Sequence, residues 1–324
     1  MKKLLTKQER NRRISQGLRL AWASRKDTGL TKRLSLKNPQ TDVYVCDCRQ
    51  LTRWLPAGSI DLLFCDPPYN IGVNYDSSDD NRADYWEFTQ QWLETGKTLL
   101  SPAGSFFIYV PAALGHRIAV HIESQLGLSH VNTICVIQRF GQHETNKFIS
   151  GYRTLLYFCV NRDTRIWNMQ NILVDSDRKS KYADKRTDAK ATNRGKRVPL
   201  DLWDECVNYK DIWGFNEPYF GRVQGNNAER RRGHPNQVPE KVIERVILAA
   251  SAKGDLVGDF FVGSGTTPTV ARALGRTFVG TEISYKYAKS AINRVRAGPA
   301  RAALTVAERP KKRIRKRIPL ERGE

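Results

Sequence analysis

No stretch of this chain approaches the roughly 20 consecutive apolar residues that cross a bilayer, and its N-terminus lacks the apolar core of a secretory leader. The expectation is a protein that works inside the cell, in the cytoplasm and with no membrane partner. Metal patterns are missing too. The six cysteines (46, 48, 65, 135, 159 and 206) stand singly or as Cys46-Asp47-Cys48, with neither a C-x-x-C pair nor the spaced pairs of a zinc site. Buried free thiols and no metal are expected. Acidic charge is scarce: 33 Asp and Glu face 54 Lys and Arg, a net charge of +21. That imbalance is too extreme for a typical small-molecule enzyme and points to a polyanion as partner.

The basic excess gathers in an N-terminal arm from Lys2 to Lys37, in the region 178–232, and in a tail containing Lys311-Lys312-Arg313-Ile314-Arg315-Lys316-Arg317. One such run is ordinarily a solvated face. Three of one sign are most economically explained by phosphates to neutralise, which predicts strongly salt-dependent binding. Apolar rhythm begins at Val43. Strands over Val43–Cys46, Ile60–Cys65 and Ser105–Val110 alternate with helices at 84–100 and 115–126, and 131–138 with 152–160 read as a β pair closing the sheet. From 161 to 237 the rhythm fades, and aromatics such as Trp167, Trp203 and Trp213 are scattered among basic and polar residues. This stretch is too aromatic for disorder and too irregular for the sheet, so it reads as an inserted recognition module. Order returns with a helix at 240–250, a strand over Asp255–Phe261, a helix at 268–274, a strand over Thr277–Gly280 and a helix at 284–296. The alternation predicts an α/β fold with a mostly parallel sheet covered on both faces, its ligands outside the carboxyl ends of the strands.

Directly behind the apolar run 60–65 stands Asp66-Pro67-Pro68-Tyr69-Asn70. The prolines forbid helix and remove two backbone donors, leaving carbonyls free to accept. Asp66 can take a hydrogen bond from an amino group, the Pro67 carbonyl a second, and the Tyr69 ring can stack on a planar system that carries the amine. The plain alternative is a strand-to-turn exit, since Asp-Pro and Pro-Pro are common loop punctuation.

A second constellation is Asp259-Phe260-Phe261-Val262-Gly263-Ser264-Gly265-Thr266-Thr267, which follows a strand and opens a helix. Gly263 and Gly265 let backbone turn sharply and approach a ligand. Some 19 residues beyond Gly263 the next strand ends in Glu282, a spacing like that of the acidic residue that binds ribose hydroxyls. There is no third glycine at the dinucleotide spacing and no Lys-Ser/Thr of a phosphate loop. A nucleoside cofactor without pyrophosphate, such as S-adenosylmethionine, fits better than NAD or ATP.

Together these segments resemble the β class of DNA amino-methyltransferases, in which the Asp-Pro-Pro-Tyr motif precedes the Phe-x-Gly-x-Gly loop with a polar insertion between them. Cys46-Asp47-Cys48, Asp211-Ile212-Trp213 and His234-Pro235-Asn236-Gln237-Val238-Pro239 agree as well, the first two looking nearest to the MboII-type adenine methyltransferases. The match covers roughly residues 43–296, and Val238 stands where the family has Lys. The resemblance implies a Rossmann-like, S-adenosylmethionine-dependent sheet with circularly permuted motif order. Its parts would be a basic arm (1–38), a catalytic half (39–160), an inserted target-recognition region (161–237), a cofactor half (238–298) and a basic tail (299–324). It implies catalysis by Asp66, Pro67, Pro68, Tyr69 and Asn70. It assigns the cofactor's methionine and ribose region to Asp259, Phe261, Gly263 and Gly265, its ribose hydroxyls to Glu282, and its adenine end to Asp47, with Cys48, His234, Asn236, Ser264, Thr266 and Thr267 as further cofactor contacts. Asp47 as a turn cap, Phe261 as core and His234 as a plain loop residue stand beside those roles.

The implied reaction methylates the exocyclic amine of a base flipped out of duplex DNA. Asp at the first motif position favours N6 of adenine over N4 of cytosine, where the family more often carries Ser. RNA methylation is the next alternative, disfavoured by motif order, and a nucleotide-binding oxidoreductase lacks its third glycine. A non-enzymatic nucleic-acid-binding protein would not need both constellations intact. Double-stranded DNA, a second copy of the chain and a cognate restriction endonuclease are the partners implied, with the nucleoid as the place of work.

Overall fold

The computed structural model describes residues 32–75, 78–137, 145, 146, 148, 150–175, 195–204, 229–231 and 233–300. The arm up to residue 31, Cys206, Asp211-Ile212-Trp213, most of the basic region 178–232 and the tail from residue 301 lie outside the described residues.

Among the described residues nine strands form one mixed sheet. In chain order they are β1 Lys32–Leu36, β2 Thr41–Val45, β3 Ile60–Cys65, β4 Leu100–Pro111, β5 Ser129–Ile137, β6 Tyr152–Cys159, β7 Leu202–Asp204, β8 Leu256–Asp259 and β9 Thr277–Thr281. Side by side they run β1-β2-β9-β8-β3-β4-β6-β5-β7. The five from β2 to β4 are parallel. Antiparallel partners extend both flanks, β1 beside β2 and β6 between β4 and β5. The expected parallel sheet and its closing β pair are therefore present.

Helices cover both faces, which is why all six residues of β3 are buried although the run does not alternate. Leu62 and Phe64 pack with α3 (Glu240–Ala250), α4 (Thr266–Ala273) and α5 (Tyr285–Ala297). Leu63 and Cys65 face the other layer, with Phe88, Trp92 and Leu93 of α1 (Tyr85–Leu99) and Ile118 of α2 (Ala112–His121). The apolar residues of α1 recur at three and four positions, which gathers them on one stripe. The five cysteines among the described residues are free.

Two expectations need correction. The sheet begins at Lys32, inside the segment read as arm. Leu34 and Leu36 pack on the core while Lys32 and Ser35 face out, and the charges on this edge strand hide its period. The insertion also contributes to the sheet, because Leu202-Trp203-Asp204 pairs parallel with Cys135–Ile137 of β5. Three residues are too few to show a period, yet Trp203 is buried and its indole nitrogen donates to the Leu200 carbonyl at 2.9 Å.

Candidate active site

The chain leaves β3 at Cys65 and β8 at Asp259, neighbouring strands that place Asp259 opposite Phe64. From β3 the chain goes on to β4 on one side, and from β8 to β9 on the other, so the strand order reverses between them. Such a switch point opens a crevice. A cavity of about 520 Å³ lies here, within the range of small-molecule sites.

Asp66, Pro67, Pro68 and Tyr69 line this cavity. The Tyr69 hydroxyl donates to Asp66 Oδ1. Burial pushes the Asp66 carboxyl up to about 6, against the pull of the Tyr69 hydroxyl and the positive charge of Arg153. One carboxylate oxygen is thus engaged internally and the other is left for a donor from outside. The Arg153 guanidinium lies 4.7 Å from the centre of the Tyr69 ring. Of the two proline carbonyls expected to be free, that of Pro68 is taken by the Tyr85 hydroxyl at 2.8 Å. Asn70 is not on the cavity wall. It has φ 58°, and its Oδ1 accepts from the Arg82 backbone nitrogen at 2.6 Å, so its part is to shape the turn.

Across the cavity the glycine loop is held by Glu282, whose Oε2 accepts from the Gly263 nitrogen at 2.8 Å while Oε1 accepts from Ser284 at 2.9 Å. At φ 48° Gly263 occupies the left-handed region, and a Cβ there would lie 2.6 Å from His234 Nε2. Gly265 is the residue before α4 and lies behind the wall, where a Cβ would meet Ala291 Cα at 2.7 Å. Pro268 falls in the first turn of α4, where its missing donor costs nothing. From the far side Arg294 of α5 reaches Thr266 Oγ1 at 2.8 Å and the Ser264 carbonyl at 3.2 Å, and its other arm pairs with Glu240 at 2.8 Å.

Burial lifts Asp259 to about 7, with the nearby charges of Asp66 and Glu282 adding to the rise and the Thr267 hydroxyl and Phe261 N–H opposing it. Glu282 is also raised by burial, against backbone N–H bonds from Ser284 and Gly263. Asp47 is pushed up by burial but pulled further down by its bonds to Arg49, so its carboxyl sits below the ordinary value. Asp47 also caps the short helix Cys48–Arg53 through the Arg49 nitrogen, which joins the turn-cap reading to a place on the cavity wall. The buried Cys48 thiol is held well above its usual value and stays protonated. Two buried carboxyls, Asp259 and Glu282, with the half-buried Asp47 and Asp66 around the same cavity, suit a cationic ligand. His234, pushed down to about 4 by burial against a hydrogen bond with the Asn236 backbone, presents a neutral ring to the cavity. A ligand that is positive at one end and rich in acceptors elsewhere fits this lining.

Cys48, His234, Asn236, Phe261, Ser264, Thr266 and Thr267 line the same cavity as Asp47, Asp259 and Glu282. Sequence reasoning missed other wall residues, among them Tyr75, Asp80, Arg82, Phe88, Ile283 and Tyr287. Ile283 had a signal in its place directly behind Glu282 at the strand end, and its 74% exposure in the structure offers a flat ligand a surface. Asp80 and Arg82 lie in a short polar stretch between the pentapeptide and α1, with nothing in their spacing to single them out.

Known proteins are similar to this chain in sequence and in fold. The sequence profile described as DNA methylase matches residues 60–293. The type II methyltransferase M.HpaI of Haemophilus parainfluenzae is 31% identical over 243 residues, covering 74% of this chain and 69% of the relative. DNA adenine methyltransferase YhdJ of Escherichia coli (strain K12) is 31% identical over 254 residues, covering 74% and 78%. Among solved structures, the M1.HpyAVI–SAM complex superposes with a TM-score of 0.52 at 18% identity, over 79% of this chain and 98% of that one. At that identity the likeness is one of fold.

Proposed function

The chain belongs to the DNA methylase family, and from that premise we propose that it methylates the N6 amine of an adenine turned out of duplex DNA at a specific site. The observation that carries this reading is Asp66, a half-buried carboxylate with one oxygen held by Tyr69 and the other open to the cavity that Asp259 and Glu282 share. S-Adenosylmethionine, the cofactor of the family, supplies a methyl group activated by its positive sulfur. Asp66 Oδ2 and the Pro67 carbonyl accept the two N–H groups of the amine and turn its lone pair outward. The amine would gain the methyl group as the methyl–sulfur bond breaks and a neutral thioether departs, and Asp66, lifted to about 6, is placed to receive the proton the amine gives up. Most of the acceleration is orientation. The Arg153 guanidinium on the Tyr69 ring supports the stacking role, since a flat group is already accommodated there.

On the cofactor side, Glu282 takes the ribose hydroxyls, Asp47 and Cys48 the adenine end, and the loop from Asp259 to Thr267, with His234 and Asn236, the methionine end. Catalysis is thus assigned to 39–160, the cofactor to 238–298 and base readout to 161–237. The adenine assignment is supported by the Asp that opens the motif and by YhdJ being named for that base. A cognate restriction endonuclease and a second copy of this chain are proposed as partners, the first in keeping with relatives named as type II methyltransferases. Among the described residues no helix is long and apolar enough to cross a membrane.

Asp66→Ala should abolish transfer of labelled methyl from cofactor to DNA and leave cofactor binding within about threefold. Undiminished transfer would sink the assignment. Single-molecule sequencing of DNA from cells expressing the chain should show N6-methyladenine at one site, and N4-methylcytosine there would overturn the choice of base.

A further inference from the structure

We propose that Asp80, fourteen residues outside the Asp-Pro-Pro-Tyr motif's first position, is a positioning residue for methyl transfer, its carboxylate setting the Tyr69–Val73 turn before any base arrives. The inference rests on the methyltransferase reading above and deepens it. Asp80 is 4% exposed. Its Oδ2 accepts from the Tyr69 nitrogen at 3.1 Å, and its Oδ1 from Ile71 and Val73 at 3.2 and 2.8 Å. Three backbone donors at alternate positions thus converge on one carboxylate, and the Asp80 nitrogen returns a bond to the Val73 carbonyl at 3.1 Å.

The turn needs such a grip. It contains two left-handed residues, Asn70 at φ 58° and Gly72 at φ 74°, and the prolines ahead of it offer no donors of their own. The segment that follows Asp80 adds two more holds, from the Arg82 nitrogen to the Asn70 side chain and from the Tyr85 hydroxyl to the Pro68 carbonyl. The grip falls on the backbone of Tyr69. It therefore fixes the ring and, through the Tyr69 hydroxyl, the orientation of Asp66. A carboxylate is the one small side chain that accepts at both oxygens, so Asn in its place would turn an NH2 toward the donors.

The expected signature is a loss in kcat without a matching loss in cofactor binding. Asp80→Ala should lower kcat for labelled methyl transfer to DNA by about 100-fold, with Asp80→Asn intermediate. The Kd for S-adenosylmethionine, titrated without DNA, should stay within about threefold. Tyr85→Phe, which removes one hold and leaves the carboxylate, should lower kcat less, and it keeps the test alive should Asp80→Ala fail to fold. Asp80 variants that keep kcat within about threefold, or that lose kcat and cofactor affinity together in step with a lowered folded fraction, would overturn the proposal. A wild-type chain that transfers no methyl to DNA would defeat the parent reading and this one with it. An active wild type with undisturbed variants would defeat only the role of Asp80.

Discussion

Asp66 is asked to accept hydrogen bonds, so it must be ionised, yet burial pushes it up to about 6. Activity should therefore be full above that value and fall as pH drops through it. Arg153 is one of the two groups that restrain the rise. Arg153→Met removes the positive charge, raises the carboxyl further, and should move the acid limb of kcat to higher pH by about one unit. A pH profile that stays in place would show that the guanidinium serves only as a cover for Tyr69. The pentapeptide and the glycine loop were legible in the sequence because each is contiguous and its residue types are rare in combination. Arg153 was not legible. It comes from β6, and only the pairing of β6 with β4 brings it to Tyr69.

At the scale of elements, the cofactor loop depends on a buried pair in the layer behind it. Arg294 and Glu240 are almost fully enclosed, and the guanidinium bonds the loop at Ser264 and Thr266. Glu240 lies at the start of α3, capped by Glu229 through its own nitrogen at 3.0 Å, so three elements meet at this contact. Removing one partner of a buried pair strands the other. Glu240→Ala should cost about 3–5 kcal/mol, read from urea unfolding, whereas the double change Glu240→Leu with Arg294→Met should recover much of it. Equal loss in the single and double variants would show that the charge is not what matters there. The helices themselves were readable from period alone, and α3 matches its expected span of 240–250. The edge strands were not. β1 carries charges outward and β7 is three residues long, so tertiary pairing decides both.

The whole molecule sets a negative pocket inside a strongly positive chain, with a net charge of +21. The two signs do different work. Basic residues raise the local concentration of a polyanion over long distances, a term weakened by salt. The carboxylates act at contact inside the cavity, where screening is slight. Composition made the first legible without any structure. The second needed the sheet order, because Asp66 and Asp259 stand far apart in the chain and become neighbours only when β8 lies against β3.

That adjacency means the two halves of the chain interlock in one sheet. A backbone break between residues 176 and 194 would cut none of the nine strands. Yet β8 and β9 of the second piece belong between β3 and β2 of the first, so neither piece alone can complete the parallel sheet. Two genes encoding the halves should give methylation only when expressed together, with each half insoluble or inactive by itself. Activity in the first half alone would show that the cofactor strands are dispensable. An enzyme divided at this point should mark DNA only where both halves are present.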